Sequence, residues 1–384
     1  MKMNKWMNGI ARYSSYVLAL LLVAACSNDE IPGADGEEYY DGVTLSFCSN
    51  SGLTTSTRTD LTGSGNVQHV TDVQLYIFDR TGVCVASENV AWSEHFTDAD
   101  FTPDRNPQMN YRVKYRNFTP GEPYTFLAVG RDRESSGTYN FPAAIGIGSA
   151  LADVKASLAA GNDWKSMRVS ELFAGQSVLV YEGIGVKGRV DLYRRVAGVM
   201  GWFKNLPADI TGLAPTSLRI TLYKKQNKSV PLLPLAVTLL FLDYIDDPLA
   251  EEGGEVLVEI PLGESIQPGK VYSKGSYVLP VPAPPTVSED DYTLRVELLK
   301  DEHIFRYKRV KLGNDDPLDS STSSGTGIID TEGPYRFPIV ANQFYGIGSA
   351  DVPIDMGGEE PDVVISVNPV WDNTVILRPN SKYE

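Results

Sequence analysis

The stretch Val73-Gln-Leu-Tyr-Ile-Phe78, Asp79-Arg-Thr-Gly82, Val83-Cys-Val-Ala86 decides the fold class. Its first six residues alternate with period two, in the aromatic and β-branched types that suit a pleated, half-buried surface. Asp79 to Gly82 then supplies a turn, because Asp bonds its own backbone and Gly accepts a positive φ. A second apolar run begins at once, so the stretch reads as strand, turn, strand.

The same pattern recurs in both directions. Val43-Thr-Leu-Ser-Phe47 alternates with period two, and Tyr111-Arg-Val-Lys-Tyr115 reads as another strand. Tyr124-Thr-Phe-Leu-Ala-Val129 is more uniformly apolar, as a central sandwich strand should be. The second half opens with Gly188 to Phe203, a long strand with internal glycines. Leu218–Tyr223, Val256–Ile260, Tyr277–Pro280, Tyr292–Leu298, His303–Tyr307, Phe337–Val340, Gln343–Ile347 and Val363–Val367 follow, with Trp371 behind them. Pro-rich and Asp/Ser-rich loops separate them. One segment departs from this pattern: Gly148 to Ala160 predicts a helix, with Ser149 as N-cap and Gly161 as the stop. No repeat of 20–50 residues is apparent, which argues against a solenoid. Strand spacing of this kind predicts an all-β fold of two tandem β-sandwiches. The expected domains are residues 42–187 and 188–384, with the boundary near Gly185 to Gly188.

The amino terminus reads as an export signal. Lys2, Lys5 and Arg12 precede an apolar run from Tyr16 to Ala25. A run of this length is short of the ~20 apolar residues that span a bilayer, and suits a signal-peptide core. It ends in Leu22-Val-Ala-Ala-Cys26, small residues before a cysteine that resemble the bacterial lipobox. On this reading residues 1–25 are removed and Cys26 carries the lipid; the plainer alternative is an ordinary secretory signal that ends near a cysteine. Residues 26–41 are polar and Gly-rich, as a flexible tether would be. The acidic residues behind Cys26 resemble a surface-export signal and lean toward the outer face of the membrane.

Composition narrows the function. The net charge of -15 opposes binding to nucleic acid, which needs a basic face. Leu232 to Leu242 is the next most apolar segment, but Pro234 interrupts it, and it reads as core. With Cys26 lipidated, Cys48 and Cys84 remain; they are either a disulfide or two small buried hydrophobes. There is no CxxC and no Cys/His cluster for zinc, and His69, His95 and His303 are isolated. GxSxG, HExxH and GxxxxGK[ST] are missing as well. Gly183 to Gly188 loosely resembles GxGxxG, but it precedes a strand rather than joining a strand to a helix. Acidic groups at Asp243/Asp246/Asp247, Glu289–Asp291 and Asp315/Asp316/Asp319 are calcium candidates, or simply solvated loops. The 20 tyrosines are open to a sugar platform, but packing and cross-strand pairs account for most of them. No catalytic residue, metal or cofactor is indicated.

Taken in order, several elements resemble the fimbrillins, subunits of the type V pili of Gram-negative anaerobes. They are the lipobox at Cys26, the strand Val43–Phe47, and Ser56-Thr-Arg58-Thr59. Val70 to Gly82, Glu171-Leu-Phe-Ala-Gly175 and Val190-Asp-Leu-Tyr-Arg-Arg-Val-Ala197 come next. Val340-Ala-Asn-Gln-Phe-Tyr345 and Val363 to Trp371 close the series. The resemblance extends over essentially the whole chain.

That resemblance implies two transthyretin-like β-sandwich domains and a structural role in surface fimbriae at the outer membrane, supporting adhesion. It implies other fimbrial subunits as partners, joined by β-strand addition, and for a tip subunit a host or bacterial surface ligand. Stalk and tip subunits are cut by an arginine-specific protease behind the first strand, and Arg58-Thr59 is the matching bond. The cut would release the lipid together with Val43, Leu45 and Phe47, and a neighbour's strand would fill the groove. A Cys48–Cys84 disulfide would keep that strand tethered, so polymerisation requires unlinked thiols. Anchor subunits instead keep the lipid and the first strand. Val375-Ile-Leu377 reads either as a donor strand or as the last strand of its own domain. A glycan-binding surface lipoprotein, and less so a glycoside hydrolase with carboxylates paired in space, are the readings outside this family.

Overall fold

The computed structural model describes residues 40–49, 61, 70–97, 107–132, 137–183, 185–210, 212–233, 244–250, 252–263, 266–285, 291–312, 335–358 and 362–368. Strands dominate throughout, and the expected all-β class is observed. The quoted turn forms as its residues dictate. Asp79 Oδ1 accepts from the Thr81 hydroxyl at 2.7 Å and the Thr81 amide at 2.9 Å. Gly82 takes φ of 77°, and its amide donates to the Asp79 carbonyl at 2.9 Å.

The first sheet contains β1 (Val43–Ser49), β2 (Asp72–Phe78), β3 (Cys84–Val90), β4 (Gln108–Arg112), β5 (Glu122–Arg131), β7 (Leu172–Tyr181) and β8 (Val186–Arg194). Its order is β3-β2-β5-β7-β8-β1-β4. The link between β7 and β8 is slight: only Phe173↔Arg194 and Ala174↔Tyr193 pair. Beyond them the path bends, and β8-β1-β4 lies over β3-β2-β5-β7. Gly175 marks the bend, since a Cβ there would sit 1.9 Å from the Asp191 carbonyl oxygen. One core fills the space between the layers. Leu75, Ile77, Phe126 and Phe173 come from one side, and Val43, Leu45, Phe47, Val190 and Leu192 from the other. This is a β-sandwich.

The second sheet contains β9 (Ala197–Lys204), β10 (Ser217–Leu222), β12 (Val256–Pro261), β13 (Tyr272–Val278), β14 (Leu294–Lys300), β15 (His303–Leu312), β16 (Phe344–Ile347) and β18 (Asp362–Asn368). The order is β12-β10-β14-β15-β18-β16-β9-β13, and β17 (Ile354–Asp355) lies against β9. The two ends of this path return to each other, where Lys274 Nζ donates to the Glu259 carbonyl at 3.0 Å. The curled sheet closes on a core that includes Phe203, Ile220, Val296, Val310, Tyr345 and Ile365. A third apolar cluster joins the two sheets. Tyr76, Phe78, Leu127 and Val129, on the outer face of the first sheet, meet Met200 and Tyr277 of the second, with Trp164 and Met167 between.

Three expectations are corrected. Gly148–Ala160 is not a helix: only Leu151–Asp153 makes a 3₁₀ turn, and β6 (Lys155–Ser157) pairs antiparallel with β11 (Ser229–Pro231). That pairing carries Ala156 fully into the third cluster, a gain that outweighs local helix propensity. Ser149 does not cap; its hydroxyl accepts the Gly146 amide at 3.0 Å. The long strand Gly188–Phe203 is two strands that change sheets at Arg195–Val196. The first part of Val190–Ala197, the stretch expected to open the second domain, therefore lies in β8 of the first sheet, joined to β1 and β7. Finally, the strand expected at Tyr111–Tyr115 ends at Arg112, and its continuation is diverted by a side chain described below.

Candidate strand-exchange site

β1 is an interior strand. Its period-two pattern points Val43, Leu45 and Phe47 into the first core, where they are 1%, 0% and 0% exposed. Thr44 and Ser46 face the other way and are half-buried. Both edges are engaged: β4 pairs antiparallel from Thr44↔Arg112 to Cys48↔Gln108, and β8 pairs parallel from Val43↔Val186 to Ser49↔Leu192. The Val113 amide donates to the Val43 carbonyl at 2.9 Å, and the Val186 amide to the Gly42 carbonyl at 3.0 Å. At the entry the Tyr181 hydroxyl donates to the Asp41 carbonyl at 3.2 Å. Burying three such side chains contributes on the order of 5–9 kcal/mol. Without β1 the sheet would hold a slot one strand wide, its walls about 10 Å apart.

The far wall of that slot is β4, which among the described strands ends the sheet and has β1 as its one strand neighbour. Behind it stands Glu88 on β3, opposite Leu75 in register and so directed between the layers. Glu88 is 9% exposed. Its Oε2 accepts the Tyr111 hydroxyl at 2.8 Å and the Lys114 amide at 2.9 Å. Its Oε1 accepts the Tyr115 amide at 2.6 Å. These bonds take the two amides that would have extended β4, which is why the strand stops at Arg112. Sequence reasoning missed Glu88; the available signal was a carboxylate at an inward position of an otherwise apolar face. Beyond β4, Phe118 closes the end of the sandwich, with ring centroids 4.9 Å from Tyr115 and from Tyr124.

Cys26, Arg58 and Thr59 lie outside the described residues. Leu61, three positions behind Arg58, is described and 1% exposed. Its carbonyl accepts the Gly275 amide of β13 at 2.7 Å. Cys48 and Cys84 are buried thiols not joined to each other, and burial pushes both up from the ordinary thiol range. Of the acidic groups, Asp247 Oδ1 accepts the Lys228 and Ser229 amides at 3.2 and 3.1 Å, and Asp246 pairs with Lys224 at 2.8 Å. Among the described residues no three His, Cys, Asp or Glu side chains are grouped to hold a metal ion. No described helix is long and apolar enough to cross a membrane.

A family model described as fimbrillin-A associated anchor proteins Mfa1 and Mfa2 matches residues 38–229, half of the chain. The chain belongs to this family. The matched residues take in every strand of the first sheet, β1 and its two neighbours included. Membership gives the chain a structural role in fimbriae at the cell surface, in association with other fimbrial subunits, rather than an enzymatic one. Among solved structures, similarity extends to a candidate polysaccharide-binding protein from Bacteroides thetaiotaomicron VPI-5482, at 17% identity and TM-score 0.40, over 68% of this chain and 77% of that one. A candidate adhesin from the same organism matches at 13% identity and TM-score 0.42, over 88% of this chain and 98% of that one. The fimbrial anchor protein Mfa2 from Porphyromonas gingivalis matches at 13% identity and TM-score 0.35, over 85% of this chain and 97% of that one. No curated protein matches.

Proposed function

We propose that the chain is exported as a lipoprotein on Cys26 and becomes a fimbrial subunit in which β1 is a built-in plug. Cleavage behind Arg58 then releases lipid and plug together, and a strand from a neighbouring subunit takes the vacated place. The observation that carries this reading is the position of β1 between β4 and β8, with each inward side chain buried. One covalent piece runs from Cys26 through β1 to Arg58, so a single cut frees all of it. The empty slot would expose apolar core and two unpaired strand edges, an arrangement that recruits another strand. Unlinked thiols at Cys48 and Cys84 leave β1 without a covalent tie to β3.

A second reading has the uncut chain stay as the base of the fimbrium, keeping Cys26, its lipid and β1. The family's description as anchor proteins favours it. One experiment separates the two. The purified precursor is incubated with an arginine-specific protease and followed by gel and intact mass. A polymerising subunit loses residues 26–58 and forms ladders. Resistance at Arg58 without oligomers removes the polymerising reading and leaves the anchor, whose mature form isolated from membranes then retains Cys26 and its acyl chains.

A further inference from the structure

Strand exchange makes a demand on β4 that the ladder alone does not meet. When β1 leaves, β8 stays tied at its far end, where Tyr193 and Arg194 pair with β7 and the chain runs on into β9. β4 loses the whole ladder from Thr44↔Arg112 to Cys48↔Gln108, and with it the bond from the Val113 amide to the Val43 carbonyl. Among the described strands no second one flanks it. A slot needs two walls, and one of them would now hang by its side chains.

We infer that Glu88 is a brace that holds β4 in place while β1 is absent, so that the incoming strand meets a preformed slot. The inference rests on the reading that β1 is exchangeable. Glu88 belongs to β3, which is paired with β2 from Val73↔Val90 onward and keeps that pairing whatever β1 does. Its three bonds go to Tyr111 inside β4 and to the Lys114 and Tyr115 amides just behind it. None of the three goes to β1, so all survive its departure. A carboxylate accepting two amides and a phenol makes charge-assisted bonds, stronger than neutral ones and directional. An inward-facing acid on an edge strand would be costly without such partners. Here the two amides would otherwise be left as open donors at the end of β4. Glu88 thus joins the wall of one layer to the edge of the other, on the side of the sandwich where, among the described strands, neither has a further one. It is a positioning residue, and in the intact precursor the ladder to β1 partly masks its role.

The test uses the full chain and its Glu88→Ala and Glu88→Gln variants. Each is cut behind Arg58, freed of residues 26–58, and given a synthetic peptide of residues 43–49. Amide hydrogen exchange over residues 108–115 and peptide affinity are measured. With Glu88 present, β4 stays protected after the cut and the peptide rebinds. Glu88→Ala loses that protection only after the cut and binds about ten- to a hundredfold more weakly, the span set by buried donors left without an acceptor. Glu88→Gln, which keeps an acceptor oxygen, falls between. Equal protection and affinity in the alanine variant overturn the brace. So does loss of β4 protection on cutting the unaltered chain. Loss of protection across β2 and β3 in the uncut alanine variant also overturns it, since Glu88 would then support the fold at large. If the unaltered chain resists cutting at Arg58, the polymerising reading fails, and the brace is measured without protease. A full chain carrying Leu45→Asp and Phe47→Asp expels β1 by burying two charges in its place. There β4 stays protected with Glu88 and exchanges freely when Glu88→Ala is added; the same exchange in both overturns the inference.

Discussion

Arg194 Nε donates to Glu171 Oε1 at 2.6 Å, with the two side chains 6% and 0% exposed. The pair sits where the chain passes from the first sheet to the second. The Arg194 guanidinium also lies over the Phe173 ring at 5.2 Å, and its backbone amide donates to Asn342 Oδ1 at 3.3 Å. Two of the stretches that resemble fimbrillins, Glu171–Gly175 and Val190–Ala197, therefore meet in space. Their shared role is to satisfy a buried charge at the joint.

Removing one member of this pair takes away the other's buried ion-pair partner. Glu171→Ala or Arg194→Ala should each cost about 3–5 kcal/mol. Glu171→Ala combined with Arg194→Ala should cost less than the two single changes added together, because both charges of the pair leave at once. Urea denaturation of the two singles and the double gives the coupling directly.

Gly275 carries a different constraint. A Cβ at this position would lie 2.4 Å from Leu61 Cδ2 and 3.0 Å from the Val199 carbonyl oxygen. Gly275→Ala should therefore expel Leu61 from the third cluster and cost about 1–3 kcal/mol, as overpacking does. Limited proteolysis is the check. The chain behind Arg58 should be cut faster in the variant than in the unaltered protein, while Leu61→Ala reproduces the faster cutting without the clash.

The strands were legible because their signal is local. Period-two alternation in Val43–Phe47 and Val73–Phe78 is fixed by the pleat, and Asp79 to Gly82 carries its own turn chemistry. What escaped is what depends on distant partners. Gly148–Ala160 has helical composition, yet β11 captures Lys155–Ser157 from more than 70 positions away. Arg195–Val196 reads as mid-strand until Arg195 Nε donates to the Pro231 carbonyl at 2.9 Å and the chain changes sheets. Glu88 breaks the apolar pattern of its face, so composition alone makes it a surface residue. Only the arrival of Tyr111, Lys114 and Tyr115 turns it into an acceptor.

The thiols give a test of β1's freedom. Burial raises both Cys48 and Cys84, which lowers the thiolate fraction as well as access. Neither should react with an aromatic disulfide reagent in the native precursor, and both should react in denaturant, with no change in mass on prior reduction. Once β1 is displaced, Cys48 should become reactive while Cys84 stays protected.

The Asp79 turn predicts a pH dependence. The Thr81 hydroxyl, followed by the Val83 and Thr81 amides, holds its carboxyl below the usual range. A lowered folded value means that its stabilisation is present above the unfolded value of about 3.9 and is lost as pH falls through the folded one. Asp79→Ala should cost under about 1 kcal/mol at pH 7, since the turn is open to water. The difference between variant and parent should close as pH falls through the folded value. Chemical denaturation at a series of pH values reads it.

Phe47 offers the sharpest measure of how far β1 belongs to the fold. Its ring is fully buried, and its centroid lies 6.1 Å from that of Tyr111 on β4. In the intact precursor Phe47→Ala should cost about 3–5 kcal/mol, and Leu45→Ala about 2–5 kcal/mol. After cleavage behind Arg58 and removal of β1, both substitutions leave with the released piece, so the remaining chain must be indistinguishable from the cut parent. The cut parent itself should melt well below the precursor and recover on adding a peptide of residues 43–49. A peptide with alanine at both positions should restore little of the lost stability. If that peptide restores as much as the native one, the slot recognises backbone alone, and burial of Leu45 and Phe47 does not govern which strand it accepts.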